Sequence, residues 1–212
     1  MALKSLLDSA LAAQLYDIAF DSRAFSDVSS SRYANEINVL GTYGILGGDG
    51  EGHFFPNRTL TRSELAAMLA QALNVTTNAS MGFNDVADAA WYCADVNAIA
   101  SLGFMGGVGE GWFDPSDSLT QEQFVAVMGR LARFLNFHAD DYALGLTDED
   151  LADESLASLH TWARTEAKVL TQYDENMLYT ELSKIDPQAP VTREQAAATL
   201  CNMLKTLDIL SY

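Results

Sequence analysis

The chain repeats itself, and this repetition restricts the possible folds more than any other feature of the sequence. The segment GILGGDGEGHFFPNRTLTRSE, which begins at Gly44, returns as GFMGGVGEGWFDPSDSLTQEQ, which begins at Gly103. Thr61 and Thr120 are equivalent, which gives an offset of 120 − 61 = 59 residues. A weaker third copy, DPQAPVTREQ, begins at Asp186. Because a repeat of this length is one supersecondary unit, we expect the units to bury their apolar faces against one another.

Each copy has the pattern of two helices joined by a loop. Apolar side chains recur at helical spacing in the first helix. Gly44 and Gly103 follow these helices and are placed to end them in the left-handed conformation. The apolar positions of the three first helices are Tyr33, Ile37, Leu40; Tyr92, Val96, Ile99; and Ala163, Ala167, Leu170. The sequence therefore predicts an all-α fold.

The second helix of each copy begins with a capping box, the S/T-x-x-E/Q pattern in which two side chains satisfy backbone N–H groups. The three boxes are Thr61 with Glu64, Thr120 with Gln123, and Thr192 with Gln195. The phenylalanines of the preceding F-x-P segments, Phe54 and Phe113, are expected to be core anchors. Trp112 lies in the loop where the first copy has His53, so we expect it to be exposed.

These patterns divide the chain into four segments that together form one domain. They are an N-terminal helix (residues 1–24), repeat 1 (25–82), repeat 2 (83–139), and a degenerate repeat 3 with an insertion (140–212). In repeat 3 the glycine loop is replaced by TQYDENMLYTELSKI. Residues 138–154 are rich in acidic side chains and are expected to be a solvated connection.

The charge of the chain excludes several classes of partner. Lys and Arg total 12 and Asp and Glu total 29, so the net charge is −17. Nucleic acid and anionic membrane surfaces are bound by basic faces, so neither is an expected partner. No apolar run is long enough to span a bilayer, so membrane insertion is not expected. The first 20 residues have helical spacing with interrupting aspartates, so no leader is visible.

The residues that carry chemistry give no catalytic or cofactor pattern. The three histidines are scattered, and neither G-x-S-x-G nor H-E-x-x-H is present. No G-K-[ST] follows the glycines, so they are not a phosphate-binding loop. Asp49 and Glu51 lack the further ligands of a calcium loop, so no dedicated metal site is expected. Cys93 and Cys201 form no C-x-x-C pair; they are two buried thiols or the two ends of one bridge.

The combined repeat pattern resembles the S-layer homology (SLH) repeat. Its elements are F-x-D-V at Phe25 and Phe83, an aromatic residue at the first helix, G-x-x-x-G, F-x-P, and T-[RQ]-x-[EQ]. The resemblance covers Phe25 to Leu207 and is weaker in repeat 3. It implies a pseudo-threefold, all-helical domain with the three second helices at the centre.

The resemblance also implies a function and a location. SLH triplets attach exported proteins to the bacterial cell wall, so the chain is expected to be extracellular, at the cell surface. The implied partner is a cell-wall polysaccharide or another peptidoglycan-linked glycan, often one bearing acidic pyruvyl ketals, bound in the grooves between repeats. Another surface-layer protein is a further candidate partner. No catalysis, cofactor or metal is implied.

Glycan-binding residues are carried over from the family position by position. They are Arg62, Arg193, Asp27, Asp85, Trp91, Asp148, Trp162, Gly48 and Gly107. Repeat 2 departs from the pattern, because Gln121 stands where arginine is expected. We therefore expect at most two of the three grooves to bind.

The chemistry of these residues allows two interpretations of each. Arg62 and Arg193 follow the N-cap of a helix, where outward-pointing N–H groups and a bidentate guanidinium could hold a carboxylate; alternatively they pair with an acid of a neighbouring repeat. Trp91 could stack on a sugar ring or pack between helices. Asp27 and Asp85 could bind ligand or cap a helix or turn.

A second function remains open at this point. The glutamine at position 121 and the rebuilt third loop are also compatible with a protein-interaction or self-assembly module whose glycan grooves have decayed.

Overall fold

The computed structural model describes residues 25–135, 143–172 and 175–210. The predicted N-terminal helix in residues 1–24 lies outside the described residues. Seven α-helices follow one another along the described chain: α1 (Ala34–Thr42), α2 (Arg62–Leu73), α3 (Cys93–Ser101), α4 (Gln121–Leu135), α5 (Asp148–Leu151), α6 (Thr161–Thr171) and α7 (Arg193–Thr206). Three single 3₁₀ turns lie in the C-terminal unit, at Glu154–Leu156, Glu175–Met177 and Leu182–Lys184. The described residues contain isolated β-bridges and no strand, so the all-α prediction is confirmed.

The local signals predicted at the helix ends are present. Gly44 and Gly103 follow α1 and α3 with φ of 69° and 78°, a conformation that glycine adopts without a steric penalty. In the capping boxes of α2 and α7, both reciprocal hydrogen bonds are formed. At α4, Gln123 N–H donates to Thr120 Oγ1 at 3.3 Å, and Thr120 N–H donates to Gln123 Oε1 at 3.2 Å.

Each second helix packs against the first helix of another unit. Helix α2 of repeat 1 packs on α3 of repeat 2, α4 of repeat 2 packs on α6 of the C-terminal unit, and α7 of the C-terminal unit packs on α1 of repeat 1. The order of contacts therefore closes on itself, and each unit covers an apolar face that it could not bury alone.

A ring of backbone hydrogen bonds joins the three segments that lead into the second helices. Leu60 N–H donates to Val191 O at 3.0 Å, Val191 N–H to Leu119 O at 3.0 Å, and Leu119 N–H to Leu60 O at 3.1 Å. All three side chains are completely buried. The ring fixes where the second helices begin relative to one another.

The core extends through all three units. Phe54 and Phe113 are completely buried, as predicted, and pack on Phe25 and Phe83 with ring centroids 5.2 Å apart in each pair. Cys93 and Cys201 form no disulfide, so the bridged alternative is wrong; Cys201 is buried as predicted, whereas Cys93 is only partly buried. Among the described residues, no helix has the length and hydropathy of a membrane span.

Candidate functional site

A groove of about 660 Å³ lies between the glycine loop of repeat 1, helix α2 and the beginning of α3. This volume is within the range of roughly 300–1,000 Å³ that small-ligand sites occupy. We call it the first groove. Its lining residues include Gly47, Gly48, Asp49, Phe55, Arg58, Glu64, Trp91, Asp95 and Arg193. Three of the predicted site residues, Gly48, Trp91 and Arg193, thus meet in one place.

Trp91 forms an open wall of the first groove. Its side chain is 67% exposed, and its ring meets the Tyr92 ring edge-on with centroids 5.3 Å apart. The alternative that Trp91 packs between helices is therefore wrong. An exposed indole held at its edge offers a flat apolar face, which is the surface that a sugar ring stacks on.

Arg193 lies at the base of the first groove and clamps the glycine loop of repeat 1. Its guanidinium donates from Nε to Phe54 O at 2.8 Å and from Nη2 to Gly47 O at 2.8 Å, and it lies 4.4 Å above the centre of the Phe54 ring. Burial lowers the pKa of Arg193, and the charge of Glu64 opposes this shift. Two of its three nitrogens are therefore occupied by loop carbonyls, and Nη1 faces Glu64 at 3.4 Å.

Arg62 repeats this arrangement one unit further on. Nε donates to Phe113 O and Nη2 to Gly106 O, both at 2.7 Å, and the guanidinium lies 4.6 Å above the Phe113 ring. The arginine of the T-R-x-E motif thus holds the loop of a neighbouring unit, and its hydrogen bonds go to backbone carbonyls and not to an acid of that unit. Any contact of Arg62 with a glycan stays a prediction.

The N-termini of these helices are also occupied, which corrects an expectation from the sequence. Arg62 N–H donates to Asp117 O at 2.9 Å and Ser63 N–H to Pro115 O at 3.0 Å. Likewise, Arg193 N–H donates to Arg58 O at 2.9 Å, and Glu194 N–H bonds a proline carbonyl of repeat 1 at 3.0 Å. These first-turn N–H groups do not point outward to bind a carboxylate, because the adjacent F-x-P loop accepts their hydrogen bonds.

The aspartates of the F-x-D-V segments pin the ends of the glycine loops. Asp27 accepts hydrogen bonds from Phe54 N–H at 2.8 Å and Phe55 N–H at 2.7 Å. Asp85 accepts the equivalent bonds from Phe113 and Asp114 at 2.9 and 2.7 Å. Burial raises the pKa of Asp27, but these hydrogen bonds outweigh it, so that the pKa lies below its ordinary value. Both carboxylates are therefore loop acceptors and cap no helix.

The predicted loop glycines are required by close backbone packing. A methyl group on Gly48 would lie 2.3 Å from His53 O, and one on Gly107 would lie 2.7 Å from Trp112 O. In each loop, the backbone of the segment that returns past the glycine occupies the space that a side chain on that glycine would need. Gly48 lines the first groove, so this packing also shapes the floor on which a ligand would lie.

Six predicted residues do not line the first groove: Arg62, Asp27, Asp85 and Gly107, described above, and Asp148 and Trp162. Asp148 is the exposed first residue of the short helix α5. Trp162, the second residue of α6, is 51% exposed. Trp112 is 46% exposed, as expected from its place in the loop.

Arg58 is a groove residue that sequence reasoning missed. Its side chain is 48% exposed, and Nη2 donates to Glu64 Oε1. Glu64 Oε2 accepts from Thr61 N–H at 3.0 Å in the capping box. Burial raises the pKa of Glu64, but the Thr61 and Arg58 hydrogen bonds and two arginine charges lower it below its ordinary value. One signal in the sequence could have identified Arg58: it is a cation in repeat 1, and the equivalent position in repeat 2 is the acidic Asp117.

Asp49, which lines the first groove, forms a small cluster with Glu51 and His53. Their ligating atoms lie within 4.8 Å of one another. Asp49 accepts from His53 Nδ1 at 2.8 Å, from His53 N–H at 3.0 Å and from Glu51 N–H at 2.8 Å. The His53 hydrogen bonds lower the pKa of Asp49 to about 2, and Asp49 in turn raises the pKa of His53. The carboxylate is thus already used to shape the loop.

The equivalent boundary between repeat 2 and the C-terminal unit, which we call the second seam, is packed more tightly. A methyl group on Gly129 of α4 would lie 2.3 Å from Glu166 O of α6. Helix backbones approach this closely only where a side chain is absent. Repeat 1 has Ala70 at the position of Gly129, so α2 and α3 are not held together in this way.

The boundary between α7 and α1, the third seam, is joined by a different set of contacts. Tyr33 Oη donates to Tyr179 O at 2.8 Å, and Ser31 Oγ donates to Glu194 Oε2 at 2.6 Å. At the second seam, Gln121, which replaces the clamping arginine in repeat 2, accepts from Asp186 N–H of the C-terminal unit at 3.2 Å. The rebuilt loop of the C-terminal unit therefore contacts repeat 2 through Gln121, whereas the C-terminal unit holds the glycine loop of repeat 1 through Arg193.

Comparison with known proteins identifies the repeats. The model of the S-layer homology domain matches residues 24–66 and 82–125. The chain is 26% identical over 208 residues to the surface-layer 125 kDa protein of Lysinibacillus sphaericus. The alignment covers 96% of this chain and 16% of that protein. It is 28% identical over 189 residues to an amylopullulanase of Thermoanaerobacterium thermosulfurigenes, covering 86% of this chain and 10% of the enzyme.

A similar match is found with the exoglucanase XynX of Acetivibrio thermocellus, at 27% identity over 183 residues, 85% of this chain and 16% of that protein. The chain therefore spans a small fraction of the length of these relatives. The surface-layer protein and the two enzymes each contain a region similar to this chain. Together with the all-α fold and these relatives, the two matches show that the chain carries S-layer homology repeats at residues 24–66 and 82–125.

Proposed function

We propose that this chain is a non-catalytic anchor that tethers an exported protein to the bacterial cell surface by binding an anionic, wall-linked polysaccharide. Relatives that include surface-layer proteins and polysaccharide-degrading enzymes support an anchoring role, because such different proteins have this region in common. The C-terminal unit is the third, degenerate repeat of the domain in this proposal. The closed order of helix contacts and the ring of backbone hydrogen bonds support a pseudo-threefold arrangement.

The first groove is the proposed binding site, and the observation that carries this choice is the exposure of Trp91. A tryptophan that is 67% exposed beside a concave, partly polar groove has a large unsatisfied apolar face. Gly48 allows the loop backbone to form the floor, and Arg193 fixes that loop from beneath. The other predicted residues in the two glycine-loop repeats contribute by holding the loops in shape; they are Arg62, Asp27, Asp85 and Gly107.

The second and third seams are not proposed as binding sites. The close backbone approach at Gly129 brings α4 and α6 together, and the Tyr33 hydroxyl ties α1 to the C-terminal unit. We therefore do not propose Trp162 as a glycan-binding residue. One competent groove of three agrees with the departures from the family pattern at Gln121 and in the third loop.

Binding to purified wall polysaccharide tests this function. The titration compares the intact polysaccharide with the same material stripped of its acidic ketals, using the wild-type chain, Trp91→Ala and Trp112→Ala. Trp112 is a matched control, because it is also an exposed tryptophan but does not line the first groove. We expect Trp91→Ala to weaken binding about tenfold or more, since the lost stacking contact contributes roughly 0.5–1.5 kcal/mol in addition to the apolar area that it buries.

Equal binding by Trp91→Ala and the wild type would remove the first groove from the proposal. A wild-type chain that bound neither polysaccharide but associated with other surface-layer proteins would favour the alternative, a protein-interaction module on the same fold.

A further inference from the structure

We propose that Arg58 is the residue that selects the acidic substituent of the glycan in the first groove, and that Glu64 is an internal counter-ion that competes with the ligand for it. This inference rests on the proposed function and assigns the charge recognition within that same groove. It is required because the arginines expected from the family pattern are buried and bond loop carbonyls through two of their three guanidinium nitrogens.

The first step concerns which cation is accessible. Arg193 is only 6% exposed, and its Nε and Nη2 already donate to Phe54 O and Gly47 O. Arg58 lines the same groove with a side chain that is 48% exposed. Within the described part of the chain, Glu64 is its side-chain partner. A guanidinium has five N–H donors, so Arg58 retains donors for a second carboxylate.

The second step concerns the place where a carboxylate fits. Glu64 Oε1 accepts from Arg58 and lies 3.4 Å from Arg193 Nη1, so two guanidinium groups converge on one carboxylate oxygen. The Glu64 carboxylate thus occupies, beside the two guanidinium groups, the kind of position that a ligand carboxylate would take. A ligand carboxylate approaching Arg58 from the open side would share this cation with Glu64 or displace it.

The third step uses the other two units as internal comparisons. The position of Arg58 is Asp117 in repeat 2 and Ala189 in the C-terminal unit, and the position of Glu64 is Gln123 and Gln195. Both glutamines complete their capping boxes. The fold therefore needs neither the arginine nor the negative charge of the glutamate, and the two charges occur together only beside the first groove.

The charges around the groove explain why a specific cation is needed. The lining contains two arginines and three carboxylates, those of Asp49, Glu64 and Asp95. Asp49 is bonded to His53, and Glu64 is bonded to the two arginines. An anionic sugar would be repelled by this lining in general and attracted at Arg58, so the position of the acidic group becomes the basis of selection.

Two substitutions with opposite expected effects test the proposal. Arg58→Gln, Glu64→Gln and the control Arg32→Gln are titrated with intact and ketal-stripped wall polysaccharide at one low ionic strength. Arg32 is an exposed arginine outside the first groove, so its loss changes the net charge by the same amount. We expect Arg58→Gln to weaken binding of the intact polysaccharide about tenfold or more and to leave binding of the stripped form unchanged.

Glu64→Gln is expected to strengthen binding of the intact polysaccharide by about three- to tenfold, because the glutamine keeps the capping box and releases Arg58. A gain in affinity cannot arise from misfolding. Arg32→Gln is expected to bind both polysaccharides as the wild type does.

The outcomes separate this inference from the function on which it rests. If the wild type prefers the intact polysaccharide, and Arg58→Gln keeps that preference or Glu64→Gln weakens it, the role of Arg58 is overturned and the anchor function stands. If the wild type binds both forms equally and Trp91→Ala binds neither, the groove binds glycan without charge selection, and the inference fails alone. If the wild type binds neither form, both proposals fail.

Discussion

The guanidinium of Arg193 lies 4.4 Å above the ring of Phe54 and donates a hydrogen bond to the carbonyl of that same residue. Arg62 has the same relationship to Phe113, one unit further along the chain. The motif arginine therefore recognises both the side chain and the backbone of an F-x-P loop in a neighbouring unit. It acts as an inter-repeat clamp.

The clamp predicts that Arg62→Lys destabilises the domain. A lysine cannot reproduce the planar fork that bonds two carbonyls, and it would leave a buried ammonium poorly paired. We expect a loss of about 2 kcal/mol in the free energy of unfolding, which corresponds to a fall in Tm of roughly 4–8 °C for a domain of this size. Thermal and urea unfolding measure the effect, and the exposed Arg32→Lys should change stability by less than about 0.5 kcal/mol. Equal stability of the two variants would contradict the clamp.

The second seam predicts that Gly129→Ala is destabilising. Alanine is the better helix former by about 1 kcal/mol, but the added methyl group would lie 2.3 Å from Glu166 O. Separating α4 and α6 to admit it should cost about 1–3 kcal/mol more than the propensity gain. Gly145→Ala is the control, since a methyl group there would meet nothing within 4 Å. A Gly129→Ala variant as stable as the wild type in urea would show that the seam is loosely packed.

The contact between Asp49 and His53 in the loop of repeat 1 predicts that the pKa of His53 is raised. Its hydrogen bond and ion pair with Asp49 raise the pKa of the imidazole. The contribution of this pair to stability is therefore complete below the unfolded histidine pKa of about 6.5 and is lost as the pH rises through the higher folded pKa. NMR titration should give a lower His53 pKa in Asp49→Asn than in the wild type. Glu110→Gln, an exposed change in repeat 2, should leave it unchanged; a wild-type value at or below the ordinary one would be inconsistent with the pair.

The two cysteines are predicted to differ in reactivity. Burial raises the pKa of Cys201 to about 12, so little thiolate forms at neutral pH. Cys93 is partly exposed at the beginning of α3. A thiol reagent should label Cys93 in the native protein and both residues only in denaturant. Cys93→Ser should remove the native reaction and Cys201→Ser should not; rapid labelling of Cys201 in the native state would contradict the packing.

The sequence was sufficient for features that depend on neighbouring residues. The capping box at Thr61 and the left-handed turn at Gly44 are set within a few positions of the chain, so their patterns identified them. The burial of Phe54 was likewise predicted, because it recurs with its proline in both loops.

The features that could not be predicted depend on contacts between units. Nothing in the T-R-S-E motif indicates that Arg62 reaches a loop 44 to 51 positions away. Asp27 was expected to bind ligand or cap a helix or turn, because its partners 27 and 28 residues later are backbone N–H groups that no pattern marks. Arg58 was missed because a lone exposed arginine in a loop has no distinguishing spacing.

The backbone ring of Leu60, Leu119 and Val191 bears on shortened versions of this protein. A fragment ending after repeat 2 would not be a smaller anchor, because the Leu60 donor and the Leu119 acceptor would both lose their Val191 partner. The vacant position could be filled by the corresponding segment of a second molecule. Truncated chains are therefore expected to exchange segments and oligomerise, and the smallest piece expected to be grafted onto another protein as a self-contained module is one that keeps both repeats and the C-terminal unit.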